Sequence, residues 1–172
     1  MRPGDSVPEL TLPDTEGRSH SLSGDGVTAV VFTCNHCPYA LAWHDRIAGV
    51  ARDYADRGVR VLAVNPNDAD RYPADSFDAM KERVAADGGW PLPYLRDESQ
   101  EAARAFDAKT TPDVFVFDAD GRLRYRGAPD SDHRDASRNA AWLRAALDAT
   151  LAGGEPDEPE TRPVGCSIKW KS

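Results

Sequence analysis

Two thiols sit two residues apart in Cys34-Asn35-His36-Cys37. They follow an apolar, β-branched run, Val27 to Thr33, and precede Pro38 and an amphipathic stretch. Strand, CxxC and helix in that order put a thiol at a helix N-terminus. Unpaired N–H groups and the positive end of the helix dipole there favour thiolate over thiol. Thiolates attack disulfides and peroxides, so the spacing points to redox chemistry. Cys34 is expected to be the exposed, attacking thiol, and Cys37, nearly one turn further in, the more buried thiol that resolves the mixed disulfide. His36, when protonated, would stabilise the neighbouring thiolate and make the pair more oxidising. A structural zinc site needs about four ligands, usually as two close pairs. The next cysteine, Cys166, is far along the chain, and His36 and His133 would join only by coincidence, so neither a metal nor a cofactor is expected. Cys166 itself has two readings: a tail thiol that folds back to resolve a disulfide with Cys34 or Cys37, or a packed, idle cysteine with Trp170 anchoring the tail.

The elements that must hold these residues follow from periodicity. Val27 to Phe32 is apolar on both faces, as a central parallel strand should be. Ala40, Trp43, Ile47, Val50 and Tyr54 recur at spacings of three and four and predict a helix from Pro38 to Arg57 with one buried face. Trp43 fits that face, and His44 lies off it. Val59 to Val64 reads as a strand, Asp75 to Ala86 as a helix, Pro91 to Leu95 as a short extended piece, and Glu98 to Phe106 as a brief helix. Val114 to Phe117 and Arg122 to Arg126 form a hairpin about Asp118-Ala119-Asp120-Gly121. Arg138 to Leu151 is the last helix. Residues 1–26 hold a short β extension, and 152–172, rich in proline and acid, is expected to run irregularly over the surface. Trp90 and Tyr94 flank a proline-rich connection and have two readings, lining a substrate surface or, the one favoured, core or rim packing. The alternation predicts an α/β fold with a mixed sheet covered by helices, all within one domain spanning 1–172.

The chain has 172 residues and a formal net charge of −8. That balance argues against nucleic acid and anionic membrane surfaces as partners. No apolar run approaches the length of a membrane span, and the start, Met1-Arg2-Pro3-Gly4-Asp5, lacks a hydrophobic signal region. A cytoplasmic location is the expectation, and in a reducing compartment a CxxC is more often redox or metal chemistry than a structural disulfide.

Two separated signals, strand–Cys34-Asn35-His36-Cys37–helix and Thr111-Pro112 before the strand Val114-Phe115-Val116-Phe117, resemble the thioredoxin superfamily. The leader Val7-Pro8-Glu9-Leu10-Thr11-Leu12-Pro13-Asp14 is similar to that of its peroxiredoxin-like and thiol-reductase branches. The motif Cys-Asn-His-Cys-Pro-Tyr and the ending Gly165-Cys166-Ser167-Ile168-Lys169-Trp170 resemble the peroxiredoxin-like AhpC/TSA group across essentially the whole chain. The resemblance implies a thioredoxin-like fold and a cis bond at Thr111-Pro112 that aims the Thr111 backbone at a bound substrate. It favours a functional role for Cys166. Two departures stand out. The strand before the motif carries no carboxylate to accept a proton from the second thiol. If Cys37 fills the peroxidatic slot, Cys34 replaces the threonine that precedes it and Pro112 stands where the arginine would be, so strong peroxidase activity is not expected.

The expected function is thiol–disulfide exchange. Its substrates would be disulfide-containing proteins or low-molecular-weight thiols, and an upstream thiol reductase would supply electrons. The alternatives are a thiol peroxidase and, from another class, a metal-binding thioredoxin-fold module.

Overall fold

The structure is a computed structural model that describes residues 1–172. Its centre is a five-stranded mixed sheet in the order β5-β4-β3-β7-β8. The strands are β3 (Thr28–Phe32), β4 (Arg60–Asn65), β5 (Tyr94–Arg96), β7 (Asp113–Phe117) and β8 (Leu123–Gly127). β3 is the middle strand, parallel to β4 and antiparallel to β7. It is buried throughout, which is why its sequence is an unbroken apolar run rather than an alternating one. Its alternate residues face opposite layers. Ala29 and Val31 join Trp43, Ile47, Val50, Leu143 and Leu147, whereas Val30 and Phe32 join Leu62, Leu95, Phe106 and Phe115. Phe32, Phe106 and Phe115 meet edge to face, the geometry that ring quadrupoles favour.

Helix α1 (Pro38–Tyr54) begins with proline in its first turn, where the missing N–H costs nothing. It lies in the first layer with α4 (Ala141–Leu151). Trp43 Nε1 and Arg46 both donate to Asp130, which also accepts the Asp132 and Ala140 N–H groups. A wholly desolvated carboxylate is thereby satisfied. The second layer contains α3 (Glu101–Ala105), and α2 (Phe77–Ala86) follows β4 with Ser76 as its N-cap. The β extension is the small ladder of β1 (Thr11–Pro13) on β2 (Ser19–Ser21). All expected elements occur with ends moved by a few residues, and the fold is thioredoxin-like, as the resemblance implies.

The tail departs from expectation. Pro159 and Thr161 exchange backbone hydrogen bonds with Arg126 at the edge of β8, and the Thr161 hydroxyl meets Tyr125 and the Ala128 N–H. Gly127, at φ +151°, admits this contact because a Cβ would overlap Thr161. Further on, β9 (Cys166–Ser167) pairs antiparallel with β6 (Thr110–Thr111), and Ile168 is buried in the second layer. Backbone pairing to an existing edge needs no apolar periodicity, so composition gave no sign of it.

Candidate redox site

The site forms where β3 ends and α1 begins. Cys37 is the N-cap of α1 and Cys34 lies three residues earlier. The Cys37 N–H donates to Cys34 Sγ at 3.2 Å, and the Thr111 hydroxyl lies 3.4 Å from the same sulfur. Cys37 Sγ lies 3.2 Å from the Thr111 carbonyl oxygen, to which its protonated form donates. Thr111-Pro112 is a cis peptide bond, directly ahead of β7. The tail brings the third sulfur: Cys166 pairs with Thr111 across the β6–β9 ladder and packs on Cys34, Cys37 and Ala40. The chain thus gathers Cys34, Cys37, Cys166, Thr111 and Pro112 at one place.

The expected exposure of Cys34 is not met. Both Cys34 and Cys37 are 0% exposed, and Cys166 is the partly accessible one. Thr111 and the tail strand cover the pair, a role for the tail that its sequence did not signal.

Charge at the pair is a contest between two sulfurs. Cys37 is held down to about 4, chiefly by the hydrogen bond from Cys34 and, against burial, by one from Cys166. Cys34 is pushed up, first by Cys37, then by burial, with the Asp75 carboxylate adding to both. Cys166 is pushed up to about 11 by burial and by Cys37. The Cys37 N–H and the Thr111 hydroxyl pull the other way, toward charge on Cys34. Asp75 beside Cys34 and two thiol donors on Cys37 outweigh them, so the charge rests on Cys37 while the tail is docked.

The His36 ring is engaged by Asp75. Its Nδ1 lies 2.5 Å from Asp75 Oδ2, and its ring stacks on Tyr72 with centroids 5.4 Å apart. Asp75 is the residue that the sequence did not reveal. It is 0% exposed, and its oxygens accept from the Asn35 N–H at 2.6 Å and from the side chains of Asn65 and Asn67. Buried Arg96 donates to the carbonyls of Asn65, Asn67 and Asp75 and fixes that loop. Asn35 is held in turn by Arg83 and by the Tyr94 hydroxyl. Tyr94 is therefore more than packing, although its ring stacks on Trp90 as core and rim placement implied. Trp43 is buried in the core, and His44 sits off that face against Trp90. No motif marks Asp75, because its partners come from β4, β5 and the CxxC turn. The only linear hint was two asparagines, Asn65 and Asn67, at a strand end.

Ligand atoms of Cys34, His36 and Asp75 lie within 4.8 Å of one another. Both Asp75 oxygens already accept hydrogen bonds from asparagines or the backbone, and a metal ligand would have to shed them. The donor set suits proton chemistry better than a metal.

Residues 3–126 match the AhpC/TSA family. The chain is 28% identical over 146 residues to the 1-Cys peroxiredoxin PER1 of Zea mays, covering 83% of this chain and 57% of that protein. It is 25% identical over 126 residues to the thiol-disulfide oxidoreductase ResA of Geobacillus thermodenitrificans (strain NG80-2), covering 70% and 66%. It therefore spans less than two thirds of the length of either relative. Among solved structures it resembles an uncharacterized conserved protein from Geobacillus kaustophilus, with a TM-score of 0.91, 38% identity and 98% and 92% of the two chains covered. The matched span contains both motif cysteines and the Thr111-Pro112 turn, and the chain belongs to the AhpC/TSA family.

Proposed function

We propose that the protein is a thiol–disulfide oxidoreductase whose redox centre is Cys34 and Cys37. The observation that carries this reading is two cysteines meeting at the N-terminus of α1, with the Cys37 N–H and the Thr111 hydroxyl both on Cys34 Sγ. The thiolate of the pair attacks a substrate disulfide, forms a mixed disulfide and expels one substrate thiolate, which takes up a proton. The other motif cysteine loses its proton and attacks the mixed disulfide. Substrate leaves as dithiol, and the two electrons it gains come from Cys34 and Cys37, which are oxidised to the Cys34–Cys37 disulfide. An upstream thiol reductase restores the pair. Substrates are protein disulfides or low-molecular-weight disulfides, Thr111 and Pro112 position them, and the cytoplasm is the setting. Similarity to ResA supports exchange.

Cys166 adds a third sulfur. Against an oxidised pair, its thiolate can attack Cys37 Sγ, breaking the Cys34–Cys37 bond and releasing Cys34 as thiolate. His36 with Asp75 lies close enough to Cys34 to take or return a proton. The experiment is turnover of a small disulfide with a dithiol reductant. Cys37→Ser abolishes it, and Cys34→Ser lowers it to what Cys37 with Cys166 supports; full turnover in either variant overturns the assignment of the pair.

The second reading, thiol peroxidase, is favoured by the low proton affinity of Cys37 at the N-cap of α1 and by similarity to PER1. Peroxide consumption that survives Cys34→Ser and is lost in Cys37→Ser would establish it.

A further inference from the structure

We propose that residues 165–169 are a tethered occupant of the site's own peptide-docking edge, which a protein disulfide must displace before it reaches Cys34 and Cys37. The inference rests on the exchange reading and concerns the access to that same pair.

Strand addition to an exposed edge is a general mode of peptide recognition: main-chain hydrogen bonds give affinity, and alternate side chains give register. The edge beside the sulfurs is Thr110–Thr111, and the tail takes it in antiparallel register, with Thr111 opposite Cys166. The tail thus presents a cysteine where an incoming substrate strand would present its own. The Ile168 N–H donates to the Lys109 carbonyl and extends the ladder. Gly165 sets the depth of docking, because a Cβ there would overlap the Thr111 carbonyl and crowd Pro112. With the tail down, no part of Cys34 or Cys37 is accessible.

The attachment is suited to release. Beyond a two-residue strand and the buried Ile168, the tail is held by polar contacts: Lys169 to Asn67 and Asp68, and Gln100 to Lys169 and Lys171. These bonds are half-buried, but Ile168 is the one apolar side chain that residues 165–169 bury, and segments with few buried apolar contacts belong to the low-stability end of local opening. Cys166, pushed up to about 11, stays protonated beside the reduced pair and does not compete as nucleophile. The docking constraint also selects the partner. A substrate strand in the same register meets the Thr111 carbonyl with the residue before its cysteine, so the favoured substrate is an extended Gly-Cys segment.

The test is alkylation of the reduced protein with a bulky polyethylene-glycol maleimide, read at Cys34 and Cys37 by peptide mass spectrometry. Gly165→Ala and Ile168→Ala should each speed labelling of the motif cysteines by at least about tenfold, the change expected when a docked segment loses roughly 1.4 kcal/mol. Insulin reduction should rise with it. Folded variants whose tail amides exchange faster but whose motif cysteines label no faster overturn the proposal. Should both variants fail to fold, the wild type decides: bulky labelling is expected to run no faster than opening at the Ile168 and Lys169 amides, and labelling that outpaces that opening overturns it. Faster labelling without disulfide turnover in any variant or in the wild type would refute the exchange reading and leave the occluding tail in place.

Discussion

Cys37 is where several small effects add. It stands at the N-cap of α1, and the thiols of Cys34 and Cys166 both donate to it, which holds it down to about 4. The reduced protein should therefore keep a thiolate absorbance from alkaline pH down to about 4, and Cys37→Ser should lose it. The sign for stability follows. A thiol lowered on folding from 9.0 contributes stability fully present above 9.0 and lost as pH falls toward 4. The denaturant-measured advantage of the reduced wild type over Cys37→Ser should accordingly grow between those limits; a flat difference would place the thiolate elsewhere. Asp75 acts on the other sulfur. Asp75→Asn removes a negative charge that raises Cys34, so alkylation at Cys34 near neutral pH should rise by on the order of threefold to tenfold, one pKa unit being a factor of ten. Unchanged alkylation would mean that Asp75 holds only the loop. The cysteines were legible because their chemistry lies in residue type and spacing, and Thr111-Pro112 through the family resemblance. Asp75 was not, because a lone aspartate before a helix N-cap looks like any other until Asn35, Asn65 and Asn67 converge on it.

The elements were legible wherever burial imposes a period. β3 reads as continuous apolar sequence because both faces are covered, and α1 reads at spacings of three and four because one face is. Their end residues shift because caps and turns respond to neighbours. Arg57, for example, lies in a separate helical turn, Ala55–Arg57, which ends at a left-handed Gly58. What held α1 at its middle was not legible: Arg46 looks like a solvated charge, yet it is 7% exposed and ion-paired with buried Asp130. Removing one partner of such a pair leaves an uncompensated buried charge. Asp130→Ala should destabilise the protein by about 3–5 kcal/mol in urea melts, with both thiols becoming accessible at lower denaturant. A loss below about 1 kcal/mol, the range of exposed pairs, would mean that Arg46 finds water instead.

At the scale of the whole molecule, the two ends of the chain meet different fates. The N-terminal stretch crosses the far edge of the sheet, where the Gly4 and Val7 N–H groups donate to Leu123 and Gly121. The C-terminal stretch travels from β8 to the sulfurs and closes over them. No helix is long and apolar enough to cross a membrane. The mixed sheet, with β3 central and parallel to β4 and with the β7–β8 hairpin, followed from the alternation of strands and helices, and the order of its strands did not. The tail's course did not, because two residues of strand and one buried isoleucine leave no periodic trace. The most direct test of the central claim is a thiol count and disulfide map after the reduced protein meets one equivalent of a small disulfide. The expected result is the loss of two thiols per chain, recovered as a Cys34–Cys37 bond, with any remaining oxidised fraction as Cys37–Cys166. Three free thiols, or modification of Cys166 alone, would contradict it.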